Sequence, residues 1–278
     1  MIRNWLQHYG IYVFLALTFG ITWSIGATAM LAPEWFNLRF GAFNNRSPIF
    51  YLAVWAPNIA AVAITLSTGG WPAIRDLLVR LVRWRVGLWV WIIALGFFPV
   101  LMLVVEIVGL AVGDPLHTWN NWQALGLGLI SLPLIALGPL GEELGWRGFL
   151  LPRLLERMRP VSAALILGAI WMIWHAPAFL MSGVPQSNMS FPIFAVGGIA
   201  LSVFITWLFL NARQSILIAG IIPHAIANAW GDAFGPMTWI NAGVLAAGAY
   251  LLIRLAGLRD LSGSPSIDSL RAPPQPER

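Results

Sequence analysis

Long uncharged apolar runs are the feature that most constrains this chain. No residue between Arg85 and Glu106 carries a charge, and the same holds from Trp122 to Leu140. Over all 278 residues, 59% are hydrophobic and 10% are charged, whereas a soluble domain carries roughly 25% charged residues. We therefore expect an integral membrane protein.

Apolar windows long enough to cross a hydrocarbon core of about 30 Å predict about eight transmembrane helices. The predicted spans lie near residues 11–32, 49–68, 87–112, 122–145, 161–181, 191–211, 214–230 and 236–256. The sequence thus predicts an all-α, polytopic fold, with one membrane-embedded domain over residues 1–260. Residues 261–278 are rich in Pro and Ser and poor in large apolar residues, which is typical of a disordered cytoplasmic tail.

The arginines predict the orientation of these spans. Every basic residue is arginine, and with the N-terminus inside, only Arg39 and Arg46 fall in outer segments. This follows the positive-inside rule, so we expect both termini in the cytoplasm. The absence of lysine, of a signal peptide and of disulfides indicates a prokaryotic plasma (inner) membrane. The net charge of +5 is then explained by cytoplasmic arginines, and we expect no nucleic-acid partner. The chain has no cysteine, which excludes thiolate metal ligands and cysteine nucleophiles.

The segment 69–86, between the second and third predicted spans, intersperses arginines among leucines and valines. This pattern is typical of an amphipathic helix lying on the inner membrane surface. An ordinary arginine-rich loop would have the same composition. Both readings stay open at this stage.

Polar groups inside the predicted spans are candidates for function, because each charge there costs roughly 2.5–3.5 kcal/mol on insertion. These groups are Glu106, Glu142, Glu143, Arg147, His175, His224 and Asn228. Glu143 and Arg147 have the i, i+4 spacing of a helical ion pair, which leaves Glu142 as the available carboxylate. His224 and Asn228 share one helix face at the same spacing. Singly, each also fits a structural role as an ion pair or a hydrogen bond between helices, and Glu106 has no assigned partner.

These groups meet only if they lie at similar depth in the bilayer. We expect the fourth helix to continue to about Leu151, where Pro152 would break it, so that Glu142 lies about 13 Å from the inner face. His224 and His175 are then at comparable depth by the same rise per residue. The expected result is a water-filled pocket that opens to the cytoplasm.

Three short motifs carry a family resemblance. The stretches EELGWR (142–147), WMIWH (171–175) and HAIAN (224–228) resemble the motifs EExxxR, FxxxH and HxxxN of the CAAX protease and bacteriocin-processing family of intramembrane endopeptidases. That family includes the type II CAAX prenyl endopeptidases. Trp171 stands where the family usually has phenylalanine, and the resemblance covers the motif-bearing core at about 122–230.

The resemblance implies an eight-helix fold that hydrolyses a peptide bond inside the membrane. Carried over to this chain, Glu142 would be the general base, helped by His175, and His224 and Asn228 would stabilise the oxyanion. Glu143 and Arg147 would orient the site. Two mechanisms stay open: a metal-free one, or one with Zn²⁺ held by Glu142, His175 and His224.

The implied partners are the lipid bilayer and a membrane-associated peptide or lipidated protein. A prenylated peptide, a bacteriocin leader and another membrane protein all remain open as substrates, and the sequence predicts no oligomeric state. Two rival functions are a catalytically silent protein that binds a peptide toxin and confers immunity, and a proton-coupled transporter in which Glu and His form a relay.

Overall fold

The computed structural model describes residues 2–113, 122–234 and 237–255. The predicted tail at 261–278 lies outside the described residues. Within them, regular structure consists of α-helices, two π-helical segments (Leu144–Leu150 and Leu217–Ile221) and two short 3₁₀ helices (Ala176–Leu180 and Pro185–Asn188). The α-helices are α1 (Ile2–Leu31), α2 (Pro33–Phe40), α3 (Pro48–Val54), α4 (Ala56–Leu81), α5 (Leu88–Val112), α6 (Trp122–Ile135), α7 (Leu137–Glu143), α8 (Leu151–Leu155), α9 (Pro160–Trp174), α10 (Phe191–Asn211), α11 (Ile222–Phe234) and α12 (Trp239–Leu255).

The all-α membrane fold is confirmed. Within the described residues, four helices are long and apolar enough to cross a bilayer: Arg3–Leu31, Leu88–Val112, Pro160–Leu180 and Phe191–Asn211. The pair α3 and α4 makes a fifth if its 55° bend counts as one broken span. The remaining predicted spans are interrupted by π-helical segments or are shorter helices, so the number eight and the orientation of the termini stay predictions.

The segment after the second predicted span is helical through Leu81. The backbone of α4 changes direction at Gly70, which has φ 64° and ψ −159°, a conformation that glycine adopts without a steric penalty. Beyond this break, Ile74 and Leu77 are buried, whereas Trp71 and Leu78 are exposed. The second half of α4 is therefore a helix with one buried face, and its position on the inner membrane surface stays a prediction.

The core of the bundle surrounds the π-helical segment Leu144–Leu150, in which every residue is buried. Helix α1 packs against α4, and α10 packs between α9 and α12. Gly168 permits the close approach of α9 to α10, because a Cβ at this position would lie 3.0 Å from the Ile199 Cα. Small residues commonly allow such contacts between membrane helices.

The bundle has two distinct ends. At what we call the arginine-rich end, Arg83 donates to the Arg213 carbonyl, and Arg80 donates to the Gly148 carbonyl at 3.2 Å. At the opposite end, which we call the loop end, segments 41–47 and 181–189 meet. Gly183 there lies so close to the Phe43 carbonyl oxygen that a Cβ would be 2.6 Å from it.

Candidate functional site

The helix that carries the two adjacent glutamates continues beyond them, as predicted. It passes through the π-helical segment and ends at Leu155. Our expectation that Pro152 ends the helix is wrong, and the π geometry explains why. The Leu151 N–H donates to the Trp146 carbonyl, five residues back. Pro152 follows at the first turn of α8, where a missing N–H is tolerated.

Asn58 on α4 is inserted into the hydrogen-bond ladder of the glutamate helix. Its Nδ2 donates to the Leu140 carbonyl at 2.6 Å, and its Oδ1 accepts the Gly145 N–H at 3.0 Å. Leu140 and Gly145 are five residues apart, the pair that a π-helical turn would join directly. The Trp55 indole adds a third contact, donating to the Leu137 carbonyl at 3.1 Å. These bonds fix the backbone that presents both glutamates.

Sequence reasoning missed this contribution of Asn58. The available signal was a carboxamide in the middle of the predicted span 49–68, where an unpaired amide is costly. The role of Gly145 follows from the same contact, because a Cβ there would lie 2.6 Å from the Pro57 carbonyl oxygen. Glycine is thus required for α4 to approach the glutamate helix.

Glu143 lies at the centre of a buried charge cluster. Its Oε1 accepts hydrogen bonds from Arg147 Nη1 at 2.7 Å and from His224 Nδ1 at 2.9 Å. The predicted Glu143–Arg147 pair is therefore present, and both side chains are fully buried. The π-helical segment Leu217–Ile221 makes room for the carboxylate, since a Cβ at Gly220 would lie 2.6 Å from the Glu143 Oε2.

Glu142 has a hydrogen-bond partner that the sequence did not suggest. The Trp171 indole N–H donates to Glu142 Oε2 at 2.7 Å, and both residues are buried. The Arg147 guanidinium lies 4.4 Å from the centre of the same Trp171 ring, a cation–π distance. Trp171 therefore contributes a polar contact to Glu142 in addition to aromatic bulk.

His175 ends α9 with one of its two ring nitrogens already bonded. Its Nδ1 lies 2.8 Å from the Trp171 carbonyl oxygen. A carbonyl only accepts hydrogen bonds, so Nδ1 carries the proton. In the neutral imidazole, Nε2 is then the atom with a free lone pair. The backbone of α9 therefore sets His175 as a hydrogen-bond acceptor at Nε2.

One cavity of about 440 Å³ brings the candidate residues together. Its wall includes Glu142, Trp171, His175, His224 and Asn228, from the glutamate helix, α9 and α11. Glu143 and Arg147 lie behind this wall, where they contact His224 and Trp171. Glu106 is buried in α5 and does not belong to the described cavity wall.

The cavity extends to the loop end of the bundle. Its wall there is formed by Phe43, Asn45, Val184, Gln186 and Met189, and none of its described residues is an arginine. The pocket was expected to open towards the arginine-rich, predicted cytoplasmic end, and this expectation is wrong. The glutamate helix ends at Leu155 rather than Leu151, so Glu142 lies further from the arginine-rich end than expected.

The side chains of the site do not fit the zinc triad that the resemblance allowed. Within the part of the chain that the structure describes, no group of three or more His, Asp or Glu side chains is arranged to hold a metal ion. We therefore derive no chemical step through a metal.

The fold and the cavity together define a class of protein: an all-helical membrane protein with a carboxylate, two imidazoles and a carboxamide around one internal cavity. Residues 123–230 match the family model described as Type II CAAX prenyl endopeptidase Rce1-like. The matched segment contains all three motifs. This part of the chain is therefore similar to the type II CAAX prenyl endopeptidases.

A curated relative shows the same similarity. The chain is 33% identical over 101 residues to the CAAX prenyl protease 2 of Methanococcus maripaludis, and the match covers 34% of this chain and 37% of that protein. The similarity thus spans little more than a third of the relative's length.

Proposed function

We propose that this protein is an intramembrane endopeptidase of the CAAX type, which hydrolyses a peptide bond of a membrane-associated substrate. The observation that carries the proposal is the shared cavity wall, in which Glu142, His175, His224 and Asn228 converge from three helical segments. The similarity of residues 123–230 to the Rce1-like family model supports the same reaction. A purely structural role would not require these four side chains to face one cavity.

In the proposed reaction, Glu142 and His175 activate a water molecule. The water gives a proton to the Glu142 carboxylate while its oxygen attacks the carbonyl carbon of the substrate, and His175 Nε2 accepts the second O–H and orients the water. A positioned general base of this kind typically accelerates a reaction by about 10²–10⁴-fold. The Trp171 N–H holds the carboxylate in place at 2.7 Å.

His224 and Asn228 act on the oxyanion that this attack creates. The Glu143 carboxylate accepts the His224 Nδ1–H, which leaves Nε2 directed away from Glu143. When His224 is protonated, Nε2–H and the Asn228 amide donate to the developing negative charge, and Glu143 stabilises the imidazolium. The C–N bond then breaks, and the proton held by Glu142 passes to the leaving amine.

The experiment uses purified protein in detergent and a library of peptides with and without a C-terminal prenyl group. We expect cleavage within a subset of the library, detected by mass spectrometry, and cleavage that persists in protein shown by elemental analysis to lack zinc. Tight binding without cleavage would instead favour the catalytically silent binding protein. Activity that disappears with zinc and returns on its addition would restore the Glu142, His175 and His224 metal site.

Replacing Trp171 by phenylalanine, the residue usual in the family, tests the indole contact. The variant keeps the aromatic ring but loses the hydrogen bond to Glu142. A hydrogen bond to a charged group contributes about 1.5–3 kcal/mol, so we expect kcat to fall about ten- to hundredfold with little change in KM. Trp91→Phe is the matched control, because its indole donates to the Trp84 carbonyl and Trp91 lies outside the cavity wall. Equal kcat values for the two variants would contradict the assigned role of Trp171.

A further inference from the structure

The cavity lies towards one end of the bundle, and this position indicates the side from which a substrate enters. The cavity wall contains residues of the segments 43–54 and 181–189 at the loop end. At the other end of the bundle, Arg80 and Arg83 bond to carbonyls of Gly148 and Arg213, and none of these four residues belongs to the wall. The route into the site therefore starts at the loop end.

The depth of the site agrees with this route. Glu142 is thirteen residues from the end of its helix at Leu155, which corresponds to about 20 Å from the arginine-rich end. His175 is fifteen residues beyond the start of α9 at Pro160, or about 22 Å by the same rise. In a hydrocarbon core of about 30 Å, both groups lie beyond the midplane and nearer to the loop end.

The arginine distribution identifies the two ends with the two sides of a membrane. The connecting segments at the arginine-rich end carry Arg75, Arg80, Arg83, Arg85, Arg153, Arg157, Arg159 and Arg213, whereas those described at the loop end carry Arg39 and Arg46. Segments rich in arginine remain in the cytoplasm during membrane insertion. The loop end is then the extracytoplasmic end.

We propose that the site receives its substrate from the extracytoplasmic side of the membrane. This inference rests on the proposed function for the reaction, but the side of access rests on the cavity and the arginines alone. The substrate is then a polypeptide segment exposed on, or translocated to, the outer face. A prenylated C-terminus confined to the cytoplasm would face the closed end of the bundle.

The chemistry of the entrance defines the segment that it accepts. The wall towards the loop end is dominated by large apolar side chains: Phe43, Phe50, Tyr51, Met181, Met189 and Phe194. Among the described wall residues, Glu142 is the one acidic side chain, and it lies at the inner part of the cavity with Trp171. An apolar, uncharged peptide segment matches this wall, because a charged side chain would lose its hydration there without a partner.

The absence of native cysteine allows a direct test of the side of access. Single-cysteine variants at Asn45 and Ser182 probe the loop end, and variants at Asp76 and Glu156 probe the arginine-rich end; none removes an arginine. All four residues are exposed. A membrane-impermeant maleimide is expected to label Asn45→Cys and Ser182→Cys in intact spheroplasts, and Asp76→Cys and Glu156→Cys only after permeabilisation. The reverse labelling pattern would overturn the proposal.

A second measurement separates the side of access from the reaction. A water-soluble peptide with an apolar, uncharged segment is added to sealed vesicles of right-side-out or inverted orientation. Cleavage in right-side-out vesicles, lost in inverted ones, supports the proposal, and cleavage confined to inverted vesicles overturns it. If neither orientation cleaves the peptide while the labelling pattern is as expected, the proposed hydrolysis fails and the extracytoplasmic opening is still supported.

Discussion

Replacing Glu142 by glutamine is expected to lower kcat for peptide hydrolysis by about a hundred- to ten-thousand-fold, the usual contribution of a positioned general base. The amide has nearly the same shape and its oxygen still accepts the Trp171 N–H, but it does not take a proton from water. Binding of substrate should therefore be retained, and KM should change little. His175→Ala is expected to act in the same direction, because it removes the Nε2 acceptor that orients the water.

Glu106→Gln provides the matched control for this measurement. It makes the same change at another buried intramembrane glutamate, which lies in α5 outside the described cavity wall. We expect hydrolysis by this variant to equal that of the unchanged protein. Undiminished cleavage by both Glu142→Gln and His175→Ala would contradict the mechanism.

The second large effect is expected on the free energy of unfolding. Arg147→Met removes the cation from an ion pair in which both side chains are fully buried. The Glu143 carboxylate then keeps its hydrogen bond to His224. Breaking a buried ion pair by removing one member costs about 3–5 kcal/mol. We expect a corresponding loss in the free energy of unfolding, measured by denaturant titration in mixed micelles.

Two further variants distinguish the charge effect from the loss of packing. In the double variant Glu143→Gln with Arg147→Met, the uncompensated carboxylate is gone, and most of the stability should return. Hydrolysis should stay low, because His224 has lost the carboxylate that stabilises its charged form. Asp76→Asn is the control: the Asp76 carboxylate pairs with Arg80 at the same i, i+4 spacing but is 67% exposed, so we expect a cost of about 1 kcal/mol. Equal losses for Asp76→Asn and Arg147→Met would contradict the interpretation.

Local sequence patterns were sufficient for the fold class and for contacts within one helix. Hydropathy predicted the helical segments because burial in lipid requires continuous apolar faces. The Glu143–Arg147 pair followed from a spacing of four residues, and the need for all polar groups to meet at one depth predicted that the glutamate helix continues past Glu142. The first two of these inferences depend on residues close together in the chain, whereas the third compares depths on separate helices.

Contacts between distant segments could not be read in the same way. The His224–Glu143 bond joins residues 81 positions apart, and the Asn58–Gly145 bond joins residues 87 apart. Neither spacing follows from helical periodicity. The π-helical segment and the helix end at Leu155 likewise did not follow from spacing within one helix.

The Asn58 contact also decides which walls of the site are able to separate. Because its carboxamide completes the backbone ladder of the neighbouring helix, α4 and the two glutamates behave as a single rigid block. Admission of a bulky chain then depends on displacement of the opposite wall, formed by the 3₁₀ turns at 176–188. A Cβ at Gly26 would lie 3.4 Å from the Met181 Sδ. A covalent crosslink between that wall and α1, at Gly26 and Met181, would therefore keep the entrance shut while leaving every reacting group untouched.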